Sequence, residues 1–144
     1  MARLALWFLL AGVVALALYV RLAPSDPARW HVTPGAGGPW GEIVAGDNSA
    51  SARLGPDVGP PGDLLARLDA IALATPRTTR LAGSVESGRI TWVTRSRIWG
   101  FPDYTTAEAR ADGLYLLARS RFGQRDLGVN AARLTDWLAR LQAS

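Results

Sequence analysis

The side chains best suited to chemistry in this sequence are arginines. Arg95 with Arg97, and Arg119 with Arg121, are spaced two apart, which puts each pair on one face of a β-strand. Guanidinium groups on neighbouring strands can hold phosphate or carboxylate groups through paired N–H donors, so these four are the candidate ligand-binding residues. The competing reading is a solvated sheet face with partners such as Glu108 and Asp103. A second cluster follows in Ser120, Gly123, Asp126, Gly128, Asn130 and Arg133. Asp126 can accept from Arg121 or from free amides at a helix start, Asn130 can cap, and the glycines admit φ values that other residues resist. Nearby arginines would keep Asp126 ionised and make it a poor general base, so this cluster reads as structural. An enzyme would instead need Arg119 and Arg121 to orient an anionic substrate, with Asp126 or Asp103 as the acid–base group.

Other chemistries find little support. There are no cysteines, which removes disulfides, thiol nucleophiles and thiolate metal sites. His31 is the only histidine and has no carboxylates at ligand spacing, so no metal site is expected. Gly-x-Ser-x-Gly is absent, and the Gly-rich stretch after Pro34 neither follows a strand nor opens a helix, so neither a serine hydrolase nor a nucleotide cofactor is indicated. All sixteen basic residues are arginine, giving a net charge of +4. Without Arg3 and Arg21 the excess falls to +2, too little to suggest nucleic acid. With no catalytic residue identifiable and no cofactor implied, binding is favoured over catalysis. A scaffold whose motif only specifies the fold is the third reading.

These residues need a frame to hold them. The pattern predicts an amphipathic helix opening at Asp63 as N-cap, with Leu64, Leu68, Ile71 and Thr75 on one stripe and Pro76 stopping it. Four antiparallel strands are predicted over about 78–85, 89–98, 103–110 and 114–121, with turns at Ser87-Gly88 and Asp112-Gly113. Leu81, Gly83, Val85, Ile90 and Trp92 share the apolar face, while Arg80, Arg95, Arg97, Arg119 and Arg121 share the other, with Glu108 as main counter-charge. A last helix, about Val129 to Leu141, carries Leu134, Trp137, Leu138 and Leu141. Trp92, Trp99, Trp137 and Phe101 read as core and corner residues. The fold class is thus α+β: an N-terminal transmembrane helix, then a two-layer sandwich of a four-stranded antiparallel sheet and two helices.

The chain divides into an anchor at 1–23, a Gly/Pro-rich tether and irregular segment at 24–62, and the core at 63–144. Eight Gly and five Pro fall between Thr33 and Gly62, which reads as loop apart from one short strand around Trp40 to Ala45. Leu4 to Val20 carry no charge, seventeen residues against the about 17 to 25 needed to cross a bilayer. Residues 4–20 are therefore expected to meet the lipid bilayer, in preference to a signal peptide cleaved after Ala15-Leu16-Ala17. A weak positive-inside bias puts the folded part outside a bacterial cytoplasmic membrane, in the periplasm. Trp30 and Trp40 flank the tether where aromatic rings can sit at a membrane interface.

Taken together, Gly100-Phe101-Pro102-Asp103-Tyr104, Ser120-Arg121-Phe122-Gly123, Asp126-Leu127-Gly128-Val129-Asn130, Arg133 and the upstream Arg77-Thr78-Thr79-Arg80-Leu81-Ala82-Gly83 resemble domain-of-unknown-function family 1499 over Trp30 to Leu141. The resemblance implies a bacterial or plastid protein, often with an N-terminal membrane segment, and no established activity. Some members carry paired acids where this chain has Pro102-Asp103, so no role for two adjacent carboxylates carries over.

Overall fold

A computed structural model describes residues 1–143. Ser144, the last residue of the expected core, lies outside them. Helix α1 spans Ala2–Leu22 and ends where the N–H of Ala23 bonds to Tyr19, one residue before Pro24. Its Arg3–Leu22 stretch has mean hydropathy 2.1, and only 6% of it is buried in the molecule. It is long and apolar enough to be a membrane anchor or a signal sequence. A short helix α2, Pro27–Trp30, follows, with the carboxylate of Asp26 accepting from Ala28 N–H.

The sheet has six antiparallel strands rather than four. In chain order they are β1 Ile43–Ala45, β2 Ser49–Leu54, β3 Thr78–Ser84, β4 Arg89–Arg95, β5 Pro102–Arg110 and β6 Gly113–Ser120. Spatially they run β1-β2-β6-β5-β4-β3, so two strands lie beyond β6: β1 falls within the short strand expected around Trp40 to Ala45, and β2 comes from sequence expected to be loop. Ala50, Ala52 and Leu54 of β2 sit opposite Ala118, Leu116 and Leu114 of β6 and continue its apolar face. Gly and Pro at both flanks masked this short Ser/Ala alternation.

Helices α3, Pro61–Leu73, and α4, Val129–Ala143, cover that apolar face. Helix α3 starts two residues before the expected cap: Pro60 is the N-cap, and Asp63 sits in the first turn, where its charge favours the helix dipole. Leu64, Leu65, Leu68 and Ala72 of α3 meet Leu134, Trp137, Leu138 and Leu141 of α4 above Ile90, Trp92 and Leu116. The Trp92 and Trp137 rings pack edge to face at 5.7 Å, and burial of each such side chain contributes on the order of 3 kcal/mol. Both indoles are satisfied, Trp92 donating to Asp69 at 2.9 Å and Trp137 to Thr75 at 3.0 Å.

A β-bulge between Arg80 and Ala82 changes the expected facing of β3. Arg80 stands opposite Trp92 and turns to the helix side, where it pairs with Asp69. Leu81 turns the other way and packs with Trp30, Val93 and Tyr104. Arg80 therefore does not belong to the arginine face.

The second sheet face is covered too. Residues 24–34 cross it as a strap: Trp30 stacks on Tyr104 at 3.9 Å, Ser25 bonds Tyr104 OH at 2.7 Å, and His31 Nδ1 lies 2.9 Å from Thr91 Oγ1. Arg89 donates to Thr33 and Arg110 to the Pro34 carbonyl. Gly83, at φ 83°, lies so close to the Arg89 carbonyl that a Cβ there would overlap its oxygen. Trp30 is therefore buried rather than interfacial. Trp40, 44% exposed, rests edge-on against Tyr115 near the β5–β6 turn, at the opposite end of the sheet from the point where α1 leaves.

Candidate anion-binding site

The four candidate arginines do not form one exposed face. Arg119 lies under the strap, its Nη2 donating to Trp30 O at 3.1 Å and its guanidinium 5.1 Å from the Trp30 ring. Burial, with Arg29 close by, pushes its pKa down from the usual arginine value. Arg121 lies past the end of β6 and donates to Pro24 O at 2.8 Å. Both hold the strap to the sheet. Arg95 and Arg97 are elsewhere, at the end of β4 and in the turn after it, because β4 stops at Arg95 instead of running on to Ile98.

There they meet two arginines from distant parts of the chain. Arg21, Arg77, Arg95 and Arg97, with Thr79 and Ser96, line a cavity of about 440 Å3. Each element contributes one for a local reason. Arg21 ends α1 and donates to Ile98 O at 2.9 Å. Arg77 precedes β3 and donates from Nε to Arg95 O at 3.1 Å. Arg95 donates from Nη1 to Gly100 O at 3.0 Å, closing the β4–β5 turn. Arg97 is exposed and makes no hydrogen bond or ion pair among the described residues. Gly100, at φ 72°, admits the side chain of Arg21, whose Cγ would stand 3.0 Å from a Cβ at that position.

Two properties mark this cavity. No acidic residue lines it, and among the described residues none of its four arginines is ion-paired. Like charges gathered without counter-charge repel, and an anion that accepts from several guanidinium groups relieves that repulsion. In addition, Arg77 holds φ 59°, one of only two positive-φ residues other than glycine among the described residues. Such strain costs on the order of 1–3 kcal/mol and concentrates at functional positions.

The motif cluster lies on the other side of the same turn. Asp103, at the start of β5, accepts from Arg133 at 2.8 Å, and Arg133 also donates to Asn130 Oδ1 at 2.9 Å. Asn130 Nδ2 donates in turn to Ser120 Oγ at 2.9 Å. Asn130 is fully buried, and Asp103 nearly so. Asp126 accepts from the N–H groups of Gly128 and Asn130, each at 3.0 Å, and so caps the first turn of α4; Arg121 is not its partner. Burial by itself would raise the Asp126 carboxyl, but the amides of Asn130 and Gly128 outweigh it and hold the group below the usual carboxylate range. Gly123 and Gly128, at φ 90° and 79°, shape the connection. Asn48, outside the motif, ties it to the β1–β2 turn by donating to Ser120 O at 3.1 Å and Gly123 O at 3.2 Å.

A cleft of about 340 Å3 beside this network is lined by Phe101, Phe122, Leu127, Val129, Asp103 and Asp126, among others. Ser96 lines both this cleft and the arginine cavity. His31 lines neither space and, as part of the strap, lies against Thr91; burial and Arg89 lower its pKa, against a smaller opposing effect of Glu108. Among the described residues no cluster of three or more metal-ligating side chains occurs.

Sequence reasoning missed Arg21 and Arg77 as site residues, since Arg21 reads as an anchor flank and Arg77 as the residue after a helix stop. It also missed the exposure of Ile98 and Trp99, which project from the β4–β5 turn at 73% and 49% of their accessible surface. The available signal was an Ile-Trp pair next to Gly100 and Pro102, apolar residues at a corner with no strand to bury them.

No curated protein and no solved structure matches the chain. A family match does exist, over residues 48–141. It begins in the β1–β2 turn, later than the expected Trp30, and takes in β2 through α4, including Arg77, Arg95, Arg97 and the motif network, while α1, Arg21 and the strap fall outside it. By that match, the chain belongs to the family described as "Protein of unknown function (DUF1499)".

Proposed function

We propose that this protein is a membrane-anchored, non-enzymatic binding domain that takes an anionic group in the cavity of Arg21, Arg77, Arg95 and Arg97. The observation that supports this is the convergence of four unpaired arginines on one cavity without a lining carboxylate. Helix α1 serves as the anchor, with the domain on the outer side of a bacterial cytoplasmic membrane. The ligand site of this reading therefore keeps Arg95 and Arg97, replaces Arg119 and Arg121 with Arg21 and Arg77, and lies where the anchor meets the domain.

Catalysis has less to work with. Asp103 is engaged by Arg133 in a nearly buried ion pair, and Asp126 is a cap whose pKa lies below the usual carboxylate range, which makes it a poor general base near neutrality. Calorimetric titration of the full chain, in a neutral detergent, with inorganic phosphate tests the reading. Saturable binding that weakens roughly tenfold in Arg97→Gln is expected, since a charge-assisted hydrogen bond contributes about 1.5 kcal/mol. Equal binding by wild type and variant would remove the cavity from consideration.

A further inference from the structure

Three features meet at the place where α1 leaves the domain. The first is the arginine cavity. The second is the β4–β5 turn, residues 96–101, with exposed Ile98 and Trp99. The third is a groove of about 260 Å3 between that turn and α1, lined by Val14, Ala17, Leu18, Arg21, Ile98 and Trp99. Val14, Ala17, Leu18 and Arg21 are spaced three, four and seven apart, so they form one face of the helix. That face runs for about 10 Å. Arg21 lines the groove and the cavity alike, so the two spaces adjoin at its side chain.

We propose that the occupant is one anionic phospholipid, its phosphate in the arginine cavity and an acyl chain in the groove along α1. This rests on the anion-binding reading and on α1 as the anchor, and goes further by naming the ligand class. Charge and polarity are matched in order along the site. Arginines stand at the level of Arg21, where the helix loses its apolar character, and apolar side chains stand beside Val14 to Leu18, within it. Ile98 and Trp99 then reach to the depth of the outer helix turns, as an apolar wedge with an indole near the headgroups. The headgroup is amine-free, as in phosphatidylglycerol, because an ammonium would need a carboxylate and none lines the cavity. Surrounding bilayer lipid touches the rest of α1 without such a cavity, so the site selects one class from the bulk.

The test uses the full chain in vesicles of phosphatidylcholine with a minor fraction of phosphatidylglycerol. Bromine is carried on the acyl chains of one lipid class at a time, and quenching of Trp99 is taken as wild type minus Trp99→Phe. Quenching per mole by brominated phosphatidylglycerol should exceed that by brominated phosphatidylcholine by roughly fivefold, and Arg97→Gln should abolish most of that preference. Among the described residues Arg97 has no hydrogen-bond or ion-pair partner, so the variant should retain the fold. Equal quenching by both lipids, or none by either, overturns the lipid assignment. Phosphate titration in detergent then separates the two claims: phosphate binding without lipid selectivity leaves the anion site standing and sinks only its lipid occupant, whereas the absence of both sinks the two together.

Discussion

The two arginine groups on either side of the β4–β5 turn differ in how their charge is met. On the motif side, Arg133 faces Asp103 and Asn130 in a buried network whose members are bonded to one another, and Asp126 satisfies the amides that open α4. On the cavity side, among the described residues, Arg21, Arg77 and Arg95 are steered only by backbone carbonyls, and Arg97 by nothing. A carbonyl orients a guanidinium without neutralising it. Matched charge of the first kind belongs to the fold, and in the function proposed above the unmatched charge of the second kind is met by an anion from outside. Residue type alone does not separate them. Arg119 and Arg121 make the same point, since both became fasteners for the strap.

The comparison predicts opposite responses to removing one arginine. The largest effect is expected at Arg133→Met, which leaves the Asp103 carboxylate buried without its cation. Chemical unfolding of the full chain in neutral detergent, followed by tryptophan fluorescence, should show a loss of about 3–5 kcal/mol. A cost below about 1 kcal/mol would mean that this pair behaves like a surface one.

Next comes Asp126→Asn, which weakens the cap and should cost about 0.5–2 kcal/mol. The wild-type contribution also has a pH signature. Because the folded pKa lies below the ordinary 3.8, stabilisation by Asp126 is complete above that value and is lost as pH falls through the depressed one. The variant should show less of this acid sensitivity, and an unchanged acid profile would contradict the assignment.

Arg97→Gln should shift stability by no more than about 0.5 kcal/mol, and in the stabilising direction at low salt, since it removes a like charge. A substantial destabilisation would place Arg97 with the fasteners.

The smallest effect concerns the strap. The folded state disfavours the charged form of His31, so its contribution is complete above the ordinary value of 6.5 and declines as pH falls below it. The protection of amides around residues 30–33, relative to the intrinsic exchange rate at each pH, should fall modestly on acidification through that range, and His31→Gln should flatten the response.

Much of the frame was legible in the sequence. Turns at Ser87-Gly88 and Asp112-Gly113 set strands whose alternation could be counted, and Leu134, Trp137, Leu138 and Leu141 spelled out the final helix. Strand β1 falls within the short strand expected around Trp40 to Ala45, but β2 was harder, because its alternating Ser and Ala carry little strand preference and the Gly and Pro around them speak for loop. The facing of Arg80 depended on a bulge, which adds one residue and leaves no mark in a period-two pattern. The strap and the cavity were beyond reach for a different reason. Trp30 finds Tyr104, and Arg21 finds Ile98, across more than seventy residues of chain. Local periodicity carries no record of such pairings.

The central claim is that the cavity arginines are unmatched until an anion arrives. It is tested most directly by the unfolding midpoint of the full chain in neutral detergent, at constant low ionic strength, with phosphate replacing chloride, for wild type and for Arg97→Gln. Wild type should rise saturably with phosphate, by about 4–8 °C for each kcal/mol of linkage, and the variant should rise far less. Equal shifts in the two proteins, or no shift in either, would contradict it.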